Sequence, residues 1–117
     1  MRASIIIPVW SGRDYLLGCL KALLAQDYPS LQVIAVDNAS TDGSADFISE
    51  TYPSVQLICN ERNLGFAGGC NVGLRAATGE ILVLLNQDTV VQPGWLAALV
   101  AALKRERVGV AGCKILY

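Results

Sequence analysis

The groups best placed to do chemistry are two acids that each follow an apolar run. Asp88 comes after Glu80 to Leu85 (EILVLL), with Asn86 two residues before it and Gln87 between. An acid just beyond a buried strand is partly desolvated unless it meets a cation or hydrogen-bond donors, so metal coordination is expected, or a capping role toward Thr89. Hard divalent ions such as Mg²⁺ or Mn²⁺ take carboxylate, carbonyl and phosphate oxygens and keep several waters, so one protein carboxylate plus a diphosphate suffices. Asp37 follows Leu31 to Val36 (LQVIAV) and opens a polar stretch, Asp37-Asn38-Ala39-Ser40-Thr41-Asp42-Gly43-Ser44. An acid there can bind a ligand or begin the loop through a backbone hydrogen bond, and Ser40 or Asp42 suits a helix cap.

Other chemistries lack their residues. The chain contains no His, and Cys19, Cys59, Cys70 and Cys113 are widely spaced without a CxxC. That argues against a Cys/His zinc site and removes Ser-His-Asp and Cys-His nucleophiles. The apolar or small neighbours of each cysteine point to buried, reduced thiols. The turn after the first apolar run, Pro8-Val9-Trp10-Ser11-Gly12-Arg13, has one glycine where a dinucleotide fold needs G-x-G-x-x-G. Gly65-Phe66-Ala67-Gly68-Gly69 lacks the Lys and Ser/Thr of a P-loop, and tight helix packing explains those glycines as well. Nine basic residues against ten acidic ones, without a basic stripe, speak against nucleic acid. Lys104, Arg105 and Arg107 cluster where a helix should end and complement its dipole.

These groups need a scaffold, and 117 residues make one domain. Ala3 to Val9 reads as a strand covered on both faces, Arg13 to Gln26 as a helix stopped by Tyr28-Pro29, and Leu31 to Val36 as a second strand. A short helix through Tyr52 follows, then a strand at Val55 to Cys59. Asn60 to Gly69 reads as a glycine-rich turn into a helix around Cys70 to Ala77. Glu80 to Leu85 is the strongest strand, Leu96 to Leu103 marks an amphipathic helix after Pro93-Gly94, and Val108 to Cys113 reads as a fifth strand. Alternating strands and helices imply a parallel, doubly wound sheet, whose ligands bind beyond the carboxyl ends of the strands. Four polar segments fall there: Pro8 to Gly12, Asp37 to Asp42, Asn60 to Gly69 and Asn86 to Thr89.

The runs SIIIPVW, VDNASTDGS, NLGFAGGCNVGL and LLNQDT, in that order, resemble the inverting nucleotide-sugar glycosyltransferases of family two, most closely their rhamnosyltransferase-like branch. The resemblance implies a GT-A fold: a Rossmann-like, mostly parallel α/β sheet with helices on both faces. It covers the N-terminal, donor-binding half of such enzymes, so residues 1–117 are expected to form a single nucleotide-sugar-binding domain of a longer transferase. By that resemblance Pro8, Val9 and Trp10 lie along the nucleoside, although Trp10-Ser11 stands where the family usually has Tyr-Asn. Asp37 would accept a hydrogen bond from a pyrimidine ring N–H, favouring UDP- or dTDP-linked sugars, rhamnose among them, with Asn38 in the following loop. Asn63, Gly65, Phe66, Ala67 and Asn71 match the segment beside the ribose and sugar. Asn86, Gln87 and Asp88 occupy the family's Asp-x-Asp position, leaving Asp88 to ligate Mg²⁺ or Mn²⁺ at the diphosphate.

Inversion needs a general base opposite the leaving group. In the family that carboxylate lies well after Asp-x-Asp, whereas no acid follows Glu106, which falls on the fourth helix. The expectation is a donor-binding piece without the catalytic base, inactive alone, from a metal-dependent enzyme of cell-wall polysaccharide biosynthesis acting on a glycan or lipid-linked acceptor. With 53% hydrophobic and 16% charged residues, against about 25% charged in a usual domain, surplus apolar surface suggests a homodimer. No apolar run spans a bilayer and no secretory signal is visible, which suggests a cytoplasmic chain, with the longer enzyme at the inner membrane face. Two other readings are a noncatalytic nucleotide-binding or assembly module, and a receiver-like regulatory domain. The latter suits the length but lacks paired acids at Pro8-Val9.

Overall fold

The computed structural model describes residues 1–105 and 109–112. Strands and helices alternate: β1 (Ala3–Val9), α1 (Arg13–Leu24), β2 (Leu31–Asp37), α2 (Ser44–Thr51), β3 (Gln56–Cys59), α3 (Gly65–Ala76), β4 (Ile81–Leu84) and α4 (Trp95–Leu103). The strands form one parallel sheet in the order β3-β2-β1-β4. β2 and β3 are laid down on one side of β1 and β4 on the other, so the direction of winding reverses between β1 and β4. Diverging loops open a crevice at such a reversal.

β1 is buried at all seven positions because it sits inside the sheet with helices over both faces. Alternate residues divide between two cores, as the period of a strand requires. Ile5, Ile7 and Val9 face Leu16, Leu20 and Leu23 of α1, Ile48 of α2, and Leu96 and Val100 of α4. Ile6 joins Ile34 and Val36 of β2 beneath α3. The α/β class with helices on both faces is therefore present.

Several boundaries differ from expectation. α3 begins at Gly65, not near Cys70, and its Gly69 and Gly73 serve close packing rather than a turn. A Cβ on Gly69 would lie 2.8 Å from Asn38 Nδ2, and one on Gly73 would lie 2.4 Å from Ile6 Cγ2. The run EILVLL, expected as the strongest strand over Glu80 to Leu85, gives only the four residues Ile81–Leu84, at the edge of the sheet among the described residues: Leu82 is 52% and Leu84 49% exposed, beside an apolar hollow of about 640 Å³ toward Trp95 and Leu99. Cys19 and Cys70 are buried but Cys59 is exposed, because it ends the other edge strand. Lys104 caps α4 and Arg105 follows. Arg107, Glu106 and Cys113 lie outside the described residues, as do both ends of the expected fifth strand, whose positions 109–112 carry no strand. No described helix is long and apolar enough to cross a membrane.

Candidate functional site

A cleft of about 350 Å³ opens at the carboxyl ends of β1 and β4, where the winding reverses. One wall is Pro8, Val9 and Trp10, the end of β1 and the loop after it. Asn86, Gln87 and Asp88, from the turn after β4, adjoin it, and Asn38 lines the cleft with Asn63, Gly65 and Phe66 at the start of α3. Those ten residues were singled out from the sequence, and they converge. Asp37, Ala67 and Asn71 do not reach the cleft wall. Ala67 and Asn71 are exposed elsewhere on α3.

Asp37 is 3% exposed and its carboxylate faces Ser40, accepting from the Ser40 hydroxyl at 2.5 Å and from its N–H at 3.2 Å. The Ser40 hydroxyl oxygen also accepts from the N–H of Ser11 at 2.9 Å, so it ties the β2 loop to the β1 loop rather than capping α2. Asp42 is the cap: it accepts from the N–H of Ser44, at the start of α2, at 3.1 Å and from the N–H of Arg13, at the start of α1, at 3.0 Å. It also accepts from the Ser44 hydroxyl, whose hydrogen bond is the chief cause of its lowered pKa; the backbone donors act in the same direction.

Asn38 is buried and engaged through both polar atoms of its side chain. Its Nδ2 donates to Gly65 O at 3.1 Å, and its Oδ1 accepts from Asn60 Nδ2 at 2.9 Å and from the N–H of Leu64 at 3.4 Å. It thereby fixes the start of α3 against β2, where Gly65, at φ 75°, turns the chain into the helix. Asn63 supports the same turn by accepting from the N–H of Gly65 at 2.8 Å.

Between the β1 loop and the β4 turn, Gln87 Oε1 accepts from the N–H of Trp10 and Gln87 Nε2 donates to Trp10 O, both at 3.0 Å. Trp10 itself is 55% exposed, an aromatic face presented to solvent on a pinned backbone. Asp88 is exposed, contrary to the expected desolvation, because β4 ends at Leu84 and the following turn opens to solvent. Beneath it the Cys19 thiol lies 3.8 Å from Asn86 O, and its pKa is pushed up to about 11 by burial and, secondarily, by the negative charge of Asp88.

No cluster of three or more His, Cys, Asp or Glu exists among the described residues, so a resident metal cage is absent there. A lone exposed carboxylate instead fits a divalent ion that arrives with phosphate oxygens and keeps its waters. The bracing role of Gln87 was not legible in the sequence, because it depends on which loops the sheet order makes neighbours.

Residues 4–117 match Glycosyl transferase family 2. The chain is 34% identical over 120 residues to the O-antigen biosynthesis protein RfbC of Myxococcus xanthus, covering 99% of this chain and 9% of that protein. Among solved structures it is similar to the mannosyltransferase PcManGT from Pyrobaculum calidifontis in complex with GDP-Man and Mn²⁺, with a TM-score of 0.85, 34% identity, and coverage of 92% of this chain and 34% of that one. It is also similar to S. aureus TarS 1-349 in complex with UDP-GlcNAc, with a TM-score of 0.77, 25% identity, and coverage of 96% and 37%. The chain spans about a third or less of the length of the first curated relatives it matches.

Proposed function

The chain belongs to glycosyl transferase family 2, with the mostly parallel GT-A sheet, and on that footing we propose that its cleft binds the nucleoside diphosphate sugar of an inverting transferase. The observation that carries this reading is the convergence of an exposed Trp10, the α3 start and the Asn86 to Asp88 turn on one crevice at the winding reversal. Trp10 offers a stacking face for the base. Asp37 lies behind Ser40 and off the cleft wall, so it would meet a base where the Ser40 loop gives way; its carboxylate takes two hydrogen bonds from Ser40 and has lone pairs left for a donor such as a ring N–H. Uracil and thymine present such a group. So does guanine, in keeping with the GDP-Man held by the mannosyltransferase, whereas adenine and cytosine place a ring acceptor there.

Asp88, with Asn86 beside it, would hold Mg²⁺ or Mn²⁺ at the diphosphate. The ion, when bound, offsets the negative charge that develops on the leaving diphosphate. Asn86 in place of a first acid supports a rhamnosyl-type donor. The acceptor is a glycan or lipid-linked sugar of surface polysaccharide synthesis, in line with the O-antigen biosynthesis of RfbC.

Inverting transfer also needs a carboxylate base on the acceptor side. Asp37 and Asp88 are the acids of this site and both have other roles, so the chain by itself is expected to bind donor without transferring sugar. Calorimetric titration with UDP, dTDP, GDP, ADP and CDP, each with and without Mn²⁺, tests the reading. Tighter, metal-dependent binding of the first three supports it, and equal binding of all five refutes the Asp37 assignment. Transfer to a sugar acceptor by these residues alone would place the base inside them.

A further inference from the structure

Gln87 commits both polar atoms of its side chain to the main chain of a different loop. Its Oε1 accepts from the N–H of Trp10 and its Nε2 donates to the C=O of Trp10, each at 3.0 Å. This is the reciprocal pairing that a neighbouring strand makes with a single residue, supplied by a carboxamide after β4 has already ended at Leu84.

The loop that receives it is shaped around it. Ser11 adopts φ 47°, a left-handed conformation rare for a side chain other than glycine, with its N–H held by the Ser40 hydroxyl. Gly12 is different: at φ −100° and ψ 16° its backbone is open to any residue. A Cβ there would nonetheless lie 2.1 Å from Gln87 Oε1 and 2.5 Å from its Cδ. Gly12 is therefore required by the space that the carboxamide occupies and not by backbone conformation.

Resting on the donor-binding reading above, we propose that Gln87 is a positioning residue of that site. Its carboxamide locks the Trp10 stacking platform to the turn that carries Asp88, without itself contacting base or diphosphate, and Gly12 is the room reserved for it. With the lock in place the indole is presented from one loop conformation. Without it the Trp10–Ser11 backbone samples several, and binding a nucleoside must then select one of them.

The test uses the whole chain and three variants: Gln87→Ala, Gly12→Ala and the two combined. The probes are uridine, and UDP with and without Mn²⁺, by calorimetry; hydrogen exchange of the Trp10 amide is measured without ligand. Loss of two neutral hydrogen bonds predicts about tenfold weaker uridine binding and about tenfold faster Trp10 exchange in Gln87→Ala. UDP should weaken by the same factor, and the ratio of its affinities with and without Mn²⁺ should match the wild type. Gly12→Ala should reproduce these changes by displacing the carboxamide. The double variant should be no worse than Gln87→Ala, because the truncated side chain makes room for the added methyl.

Unchanged Trp10 exchange and uridine affinity in Gln87→Ala would overturn the proposal, as would a loss confined to UDP with Mn²⁺, which would mean direct contact with the diphosphate or its ion. If the wild type bound neither uridine nor UDP, the donor reading would fail, while Trp10 exchange would still decide for or against the lock. If Gln87→Ala did not fold, Gly12→Ala would give the same readings on an intact side chain.

Discussion

Asp42 joins the starts of two helices, and removing its carboxylate tests how the motif loops are held. Asp42→Ala leaves the N–H groups of Arg13 and Ser44, and the Ser44 hydroxyl, without their acceptor. A lost helix cap costs about 1 kcal/mol, so two caps amount to about 2 kcal/mol, with water replacing part of each bond at this exposed position. For a domain of this size that corresponds to a fall in Tm of roughly 6–10 °C. The contact of the Arg13 guanidinium with the Phe47 ring, 3.9 Å from its centroid, still bridges α1 and α2 and should keep the fold intact.

The same carboxylate gives the protein an acid-sensitive component. The Ser44 hydroxyl, and then the backbone N–H groups of Arg13 and Ser44, hold its pKa below the ordinary 3.8, outweighing the opposing effect of burial. The folded state thus favours the charged form. Its contribution is complete above the ordinary value and is lost as pH falls through the lowered folded one. Asp42→Asn keeps an acceptor but cannot ionise, so its stability deficit relative to wild type should shrink on acidification across that window. Urea unfolding followed by circular dichroism at a series of pH values measures this. A Tm change below about 1 °C in Asp42→Ala, or a deficit in Asp42→Asn that ignores pH, would show that the carboxylate is merely hydrated.

Gly73→Ala should destabilise the protein by about 1 kcal/mol: the new methyl meets buried Ile6 and Val36, an overpacking cost of about 2 kcal/mol that exceeds the gain of about 1 kcal/mol in helix propensity. Urea unfolding giving a more stable variant would mean that Ile6 yields. Asp88→Ala should abolish the effect of Mn²⁺ on UDP binding while Tm moves little, since the side chain is exposed; an unfolded variant would assign Asp88 a structural role. With a maleimide under native conditions Cys59 should label before Cys19 and Cys70, at a rate that climbs as pH rises past 9.0, because its thiol pKa is raised by partial burial and then by Asp37 and Asp46. Prior labelling of Cys19 would contradict its burial. Light scattering tests the dimer expected from the apolar composition, which the exposed Leu82 and Leu84 would favour; a monomer at high concentration refutes it.

The existence and order of the eight elements could be read from the sequence, because hydrophobic periodicity and Gly/Pro punctuation are local properties of the chain. The parallel pairing followed from alternation, and with it the edge on which Trp10, Asn63, Phe66 and Asp88 gather. What needed the tertiary structure was everything set by which element stands beside which. EILVLL has the composition of a buried strand, yet among the described residues β4 is an edge strand, and Leu82, Leu84 and Asp88 meet solvent. Gly69 reads as part of a turn until Asn38 is seen to need its missing side chain. Asp37 stands behind Ser40 rather than on the cleft wall, and Gln87 braces Trp10 across a sequence separation of 77. Local sequence carries torsional preference and hydrophobic period; it carries no record of the distances that folding closes between loops.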